Sequence, residues 1–227
     1  MKSGRINSFF LKLALLTFIL FIYTSCSKNV KVENTPETQT LEPKKNSERF
    51  KNKLSIKTLE DYLQNTAEVK STKKHKEPFD TLEFDKVIAY DYQGEEEAFP
   101  SVIGRNGKFI PIIEKQAALN EKQIDYLIDV ILTSDSTYGA GTAACFQPHL
   151  GFIFYNKNER IFVTDICLGC NLLQSSQLIP ATQSHKSKFE DGTVFFLDGF
   201  SKNGKERIRN LATELDFYYS NTNQNMH

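Results

Sequence analysis

Between Leu54 and the end of the chain the apolar positions change period several times, and each change marks an element. In LNEKQIDYLIDVIL, residues Ile124, Leu127, Ile128, Ile131 and Leu132 fall at the i, i+3, i+4, i+7, i+8 spacing of one buried helical stripe. Asn120 stands where an N-cap belongs, and Gln123 three residues on completes a capping box. Near the C-terminus KERIRNLATEL repeats the pattern with Ile208, Leu211, Ala212 and Leu215. TLEDYLQN predicts a further short helix, with Leu59, Tyr62 and Leu63 on one side. The runs KVIAYDY, KFIPII, GFIFYN, RIFVTDIC and TVFFL are short and rich in β-branched and aromatic residues, so they predict strands. NGK at 106–108 and NKNE at 156–159 read as turns, and SDSTYGAGTAA at 134–144 as a loop. The expected fold class is α+β: a small antiparallel sheet with two or three amphipathic helices. It occupies a single domain over 54–220, with a disordered tail at 221–227.

Upstream the pattern is different. Lys2 and Arg5 precede an apolar run, Leu13–Tyr23, interrupted only by Thr17. A basic start, a short apolar stretch and small residues are the layout of a secretory signal. The run is too short to span a bilayer, which needs roughly 20 residues. Thr24, Ser25 and Cys26 then resemble a lipobox, with Tyr23 at the position where the pattern carries Leu. The expectation is a signal peptide over 1–25 and lipidation at Cys26, so that acyl chains such as palmitate hold the protein on a membrane. An ordinary signal peptide or an uncleaved anchor is the alternative. Residues 27–53 carry mixed charges, two prolines and almost no large apolar side chain, which predicts a flexible tether over 26–53. Fully extended it would reach about 90 Å. Ser27 after the cysteine resembles the sorting signal for the outer membrane, which places the folded part in the periplasm or at the cell surface.

Charge excludes one class of partner. The whole chain balances 28 basic against 28 acidic residues; without the first 25 residues it carries 25 against 28, a net of −3. The one basic run, KKHK at 73–76, sits beside Glu77 and Asp80. Nucleic acid is therefore not an expected partner.

The candidate chemistry lies in CFQPHLGFIFYNKNERIFVTDICLGC, Cys145–Cys170. With Lys157 and Asn158 at a hairpin tip, Asn156 faces Glu159, Phe152 faces Val163 and Phe154 faces Ile161. Those four apolar side chains then share a face, as burial requires. Extending the ladder brings Cys145 level with Cys170, and Pro148 level with Cys167. Pro148 cannot donate to the ladder and ends its regular part, so the juxtaposition is regional. Three sulfurs from separate stretches are expected together.

These residues resemble a family of uncharacterised bacterial envelope lipoproteins. Its pattern is a cysteine, a proline two or three residues later, a Gly-Ile-x-Phe-Tyr-like strand, and a second strand ending in Cys-x-x-Cys-Asn. The matching positions are Cys145, Phe146, Pro148, Gly151, Phe154, Tyr155, Ile166, Cys167, Cys170 and Asn171, and the resemblance spans 85–215. His149-Leu150 stands where the family pattern has Arg-His. The resemblance implies an envelope lipoprotein and brings no activity with it.

Three readings of the cluster stay open. Outside the cytoplasm neighbouring thiols oxidise, so two of the cysteines can form a structural disulfide; with Cys26 lipidated, an odd thiol remains. Cys145, Cys167 and Cys170 with His149, or with His185 in its place, would instead make a ligand set for tetrahedral zinc. Third, NLLQSSQL can open a helix after Cys170, whose N-terminus would lower a thiol pKa for redox chemistry, with Ile179–Pro180 as a cis peptide opposite. Covalent haem is excluded, since Asn171 stands where attachment needs His. Asp91 and Asp165 read as single acids without a partner, and Cys145–His149 has no nucleophile–base signature. The glycines of YGAGTAA lack the lysine of a phosphate loop. The reading is thus a lipid-anchored envelope protein, a binding or structural module, with a zinc or thiol-redox centre as the alternative.

Overall fold

KVIAYDY becomes strand β1, Lys86–Tyr92, and all seven of its positions are buried. A strand covered on both faces needs packed layers on either side of its sheet. In the computed structural model, which describes residues 53–69 and 71–218, those layers are present. β1 lies between β2, Ile113–Ala118, and β4, Leu150–Asn156. The sheet continues through β5, Glu159–Cys167, and β6, Leu172–Ser175, in the order β2-β1-β4-β5-β6. Every pair is antiparallel. The protein is α+β, and the described residues form one compact unit.

Helix α1 spans Ile56–Asn65, α2 begins at Glu121–Asp125, and α3 spans Lys202–Glu214. The expected capping box closes α2: the Asn120 side chain accepts from the Gln123 amide at 3.0 Å, and the Gln123 side chain accepts from the Asn120 amide at 3.1 Å. The five stripe residues of α2 are fully buried. From Tyr126 to Leu132, however, the helix widens into a π-helix. The Thr133 amide and hydroxyl both donate to Ile128 O, at 2.8 Å each. Carbonyls left over at the end of a helix need outside donors. Thr137 Oγ1 supplies Val130 O, and Tyr138 Oη supplies Leu132 O.

One sheet face carries Val87, Ala89, Phe152, Phe154, Phe162 and Ile166 against the stripes of α2 and α3. The other carries Ile88, Tyr90, Tyr92, Ile153 and Tyr155, covered by Leu59 and Leu63 of α1 and by Val102 and Ile110 from the loop before β2.

The readings of KFIPII, of NLLQ and of the hairpin register are corrected, whereas TVFFL does form the expected strand, outside the main sheet. KFIPII is mostly loop, with one isolated bridge from Ile103 to Phe109; Pro111 cannot donate to a ladder. The strand is the more polar IEKQAA that begins at its last residue, and its polarity suits an edge position. NLLQ forms strand β6 and not a helix. TVFFL supplies β8, Val194–Phe196, which pairs with β7, Lys186–Lys188, in a separate ribbon and leaves Val194 and Phe196 exposed. Lastly, Asn156 does face Glu159, but a bulge at Ile161 shifts the register, so that Phe154 faces Phe162 and Phe152 faces Thr164. That one extra residue turns Phe162 toward the helices and Val163 to the opposite face.

The signal segment 1–25, Cys26, the tether up to residue 52 and the tail 221–227 lie outside the described residues. Among the described residues no helix is long and apolar enough to cross a membrane.

Candidate functional site: a three-cysteine cluster

The β4–β5 ladder ends with Leu150 opposite Ile166, and one further bond runs from the His149 amide to Ile166 O at 3.1 Å. β5 stops at Cys167, which already pairs with Leu172 of β6. Leu168, Gly169, Cys170 and Asn171 therefore make a tight return. Asn171 takes a φ of 60°, a left-handed conformation that asparagine tolerates better than most side chains. Cys-x-x-Cys thus closes a β-hairpin. The helix N-terminus expected after it is absent from this segment, and with it the helix-end charge that would have lowered a thiol pKa.

Cys145 reaches this turn from the loop between β3, Tyr138–Ala140, and β4. Two tethers hold that loop: Ala143 N donates to Cys170 O at 2.8 Å, and Asn171 Nδ2 donates to Gly141 O at 2.6 Å. Gly199 of β9, Gly199–Phe200, makes the approach possible, because a Cβ there would lie 2.5 Å from Gly141 O and 2.7 Å from Asn171 Nδ2.

The sulfurs meet. Cys167 and Cys170 are paired as a disulfide, with Cα atoms 5.3 Å apart, a usual separation for a bridge. Cys145 carries the free thiol, and its Sγ lies 3.5 Å from Cys170 Sγ. The disulfide is buried, each half 2 % exposed, under Phe146 and Leu172, whereas Cys145 is exposed. Each disulfide sulfur also accepts from a backbone amide: Cys170 N to Cys167 Sγ at 3.0 Å and Gln147 N to Cys170 Sγ at 3.3 Å.

His149 does not complete a ligand set. Its Nδ1 lies 2.6 Å from Gln147 O and its ring stacks on Tyr218. His185 is engaged at Asp135 O, 3.0 Å from its Nε2. Among the described residues no group of three or more His, Cys, Asp and Glu is arranged to hold a metal ion, so the four-ligand zinc set is not assembled. The cis peptide is Glu77–Pro78, and Ile179–Pro180 is not one.

The two acids read as single do have partners. Asp165, two residues before Cys167 on the same face of β5, is buried. Its Oδ1 accepts from Tyr92 Oη at 2.5 Å and from Val102 N at 2.9 Å. Burial holds its carboxyl above the usual carboxylate range, against the opposing hydrogen bonds from Ser101, Tyr92 and Val102. Gly151 opposite leaves the room: a Cβ there would sit 3.0 Å from Asp165 Oδ1. Asp91 Oδ2 accepts from Tyr218 N at 2.9 Å. The roles of Gly199 and of the Gln147 amide were not readable in the chain, since both depend on long-range approach of backbone.

No family model, curated protein or solved structure matches the chain.

Proposed function

We propose that this is a lipid-anchored protein of the cell envelope whose folded domain carries a thiol–disulfide exchange centre. The anchor rests on the signal-like start and Cys26. The centre rests on one observation: a free, exposed thiol stands 3.5 Å from one sulfur of a buried disulfide. Exchange needs a thiolate in reach of a disulfide sulfur, and a leaving thiolate that is stabilised. Deprotonated Cys145 attacks Cys170 Sγ, the S–S bond to Cys167 breaks, and Cys167 leaves as the thiolate. The Cys170 amide already points at that leaving sulfur, and a hydrogen bond to an ionised acceptor is stronger than one to a neutral sulfur. The new Cys145–Cys170 bridge now has an exposed sulfur. An external thiolate attacks Cys145 Sγ and releases Cys170; a second external thiolate then displaces Cys145. Two external thiols become one disulfide, and the protein's disulfide becomes two thiols. Cys145 is thus the shuttle between a shielded disulfide and the outside.

The test is the rate at which a small thiol such as reduced glutathione reduces the buried disulfide. Cys145→Ser removes the shuttle and is expected to slow reduction at least about tenfold, because access then limits attack. An unchanged rate would show a structural staple with a bystander thiol.

A further inference from the structure

A second cluster lies away from the cysteines, where the segment before β1 crosses α2. His75 is buried, its side chain 3 % exposed. Its Nδ1 lies 2.9 Å from Asp129 Oδ1, and its Nε2 lies 3.0 Å from Ser71 Oγ. An ionised carboxylate only accepts, so Nδ1 carries the proton toward Asp129. In the neutral ring Nε2 is then the acceptor, and it faces the Ser71 hydroxyl. This is the hydrogen-bond order of a nucleophile, a base and an orienting carboxylate.

The surrounding groups fix the relay. Asp129 sits on the π-helical stretch of α2 and pairs with Lys73. Partial burial works against its charge, but Lys73 and His75 outweigh it and hold its carboxyl below the usual range. The Lys73 amide donates to Ser71 Oγ at 3.3 Å. Asp125, one turn before Asp129, is a second acceptor for the same hydroxyl at 3.2 Å, and its Oδ1 lies 3.6 Å from His75 Nε2. A cavity of about 350 Å³ opens over Ser71 and His75, with Phe79, Leu82 and Phe84 as apolar walls and Lys74 as a cation at its edge. Lys73, Asp80 and Glu83 line it as well, so the cavity has a charged rim and one apolar side, and its volume has room for a short acyl group against Phe79, Leu82 and Phe84.

We propose that Ser71, His75 and Asp129 form a second site that hydrolyses short-chain carboxylic esters. Ser71 Oγ attacks the ester carbonyl as its proton passes to His75 Nε2. The tetrahedral adduct collapses, the C–O bond to the alcohol breaks, and His75 returns the proton to the leaving alcohol. Water, deprotonated by His75, then attacks the acyl-serine and releases the acid with Ser71 regenerated. Asp129 stays ionised and holds the ring in the required tautomer.

The test uses the full-length protein in detergent with a fluorophosphonate, which phosphonylates an activated serine and expels fluoride, and with p-nitrophenyl butyrate as substrate. The expected result is one phosphonyl adduct on Ser71 in the wild-type protein. Ester hydrolysis should fall at least about 100-fold in Ser71→Ala, which removes the nucleophile, and in Asp129→Asn, which disables the general base by releasing its tautomer. Wild-type protein that takes no label, or takes it on another residue, overturns the proposal. So does a Ser71→Ala variant that hydrolyses the ester as fast as wild type. The adduct is read on the unmutated protein, so the outcome does not depend on the stability of any variant. Neither result bears on thiol exchange.

Discussion

Asp165 is a buried acid in a sheet face otherwise lined by aromatic and aliphatic side chains. Its carboxyl titrates above its unfolded value of about 3.9, because burial disfavours the charge more than its hydrogen bonds favour it. In the interval between those values the folded state holds a proton that the unfolded chain has released. Stability from this group is therefore fully present below the unfolded pKa and is lost as pH rises through the folded one. Asp165→Asn removes the titration while keeping an oxygen to accept from Tyr92 and Val102. Unfolding free energies measured in urea between pH 3 and 7 should show the variant gaining on wild type as pH rises. A difference that stays constant over that range would contradict this reading. At the same scale the sequence brought the three cysteines into view and hid the partners of the buried polar groups. The three cysteines could be brought together by following one hairpin, yet the partners of Asp165 come from strand β1 and from the loop at Ser101–Val102. His75 lies inside the basic run KKHK, Ser71 just before it, and Asp129 lies more than 50 residues away.

Among elements, helices were more legible than strands. α2 announced itself by period and cap, and α3 by period, because a helix satisfies its backbone locally. β2 and β6 were missed because the one is a polar edge strand and the other follows an apolar turn that reads equally well as a helix start. The Ile161 bulge was invisible for a related reason: Phe162 and Val163 are both apolar, so either register buries something. One close contact between elements gives a test with competing signs. Gly204 lies inside α3, where alanine is favoured over glycine by about 1 kcal/mol. A Cβ at that position, however, would collide with the Thr137 carbonyl oxygen, and Thr137 N–H···O and side-chain bonds tie that oxygen's segment to the end of α2. Gly204→Ala is therefore expected to destabilise the fold by about 1–3 kcal/mol, as overpacking does, read from denaturant midpoints. A variant more stable than wild type would show that α3 shifts freely.

At the scale of the whole molecule, the proposed protein joins an N-terminal lipid at Cys26 to a domain whose shielded disulfide communicates with the surface through one thiol. Digestion of the mature protein bears on both ends. The lipid end is read from its first peptide, which should begin at an acylated Cys26; a peptide running unbroken from Met1 through Cys26 would contradict the anchor. The decisive reading is at the other end. Protein isolated without reductant is quenched in acid, alkylated while denaturing, digested and mapped by mass spectrometry. Two bridged species are expected, Cys167–Cys170 with the label on Cys145 and Cys145–Cys170 with the label on Cys167. Finding Cys167–Cys170 as the sole bridge, with every label on Cys145, would contradict exchange between them.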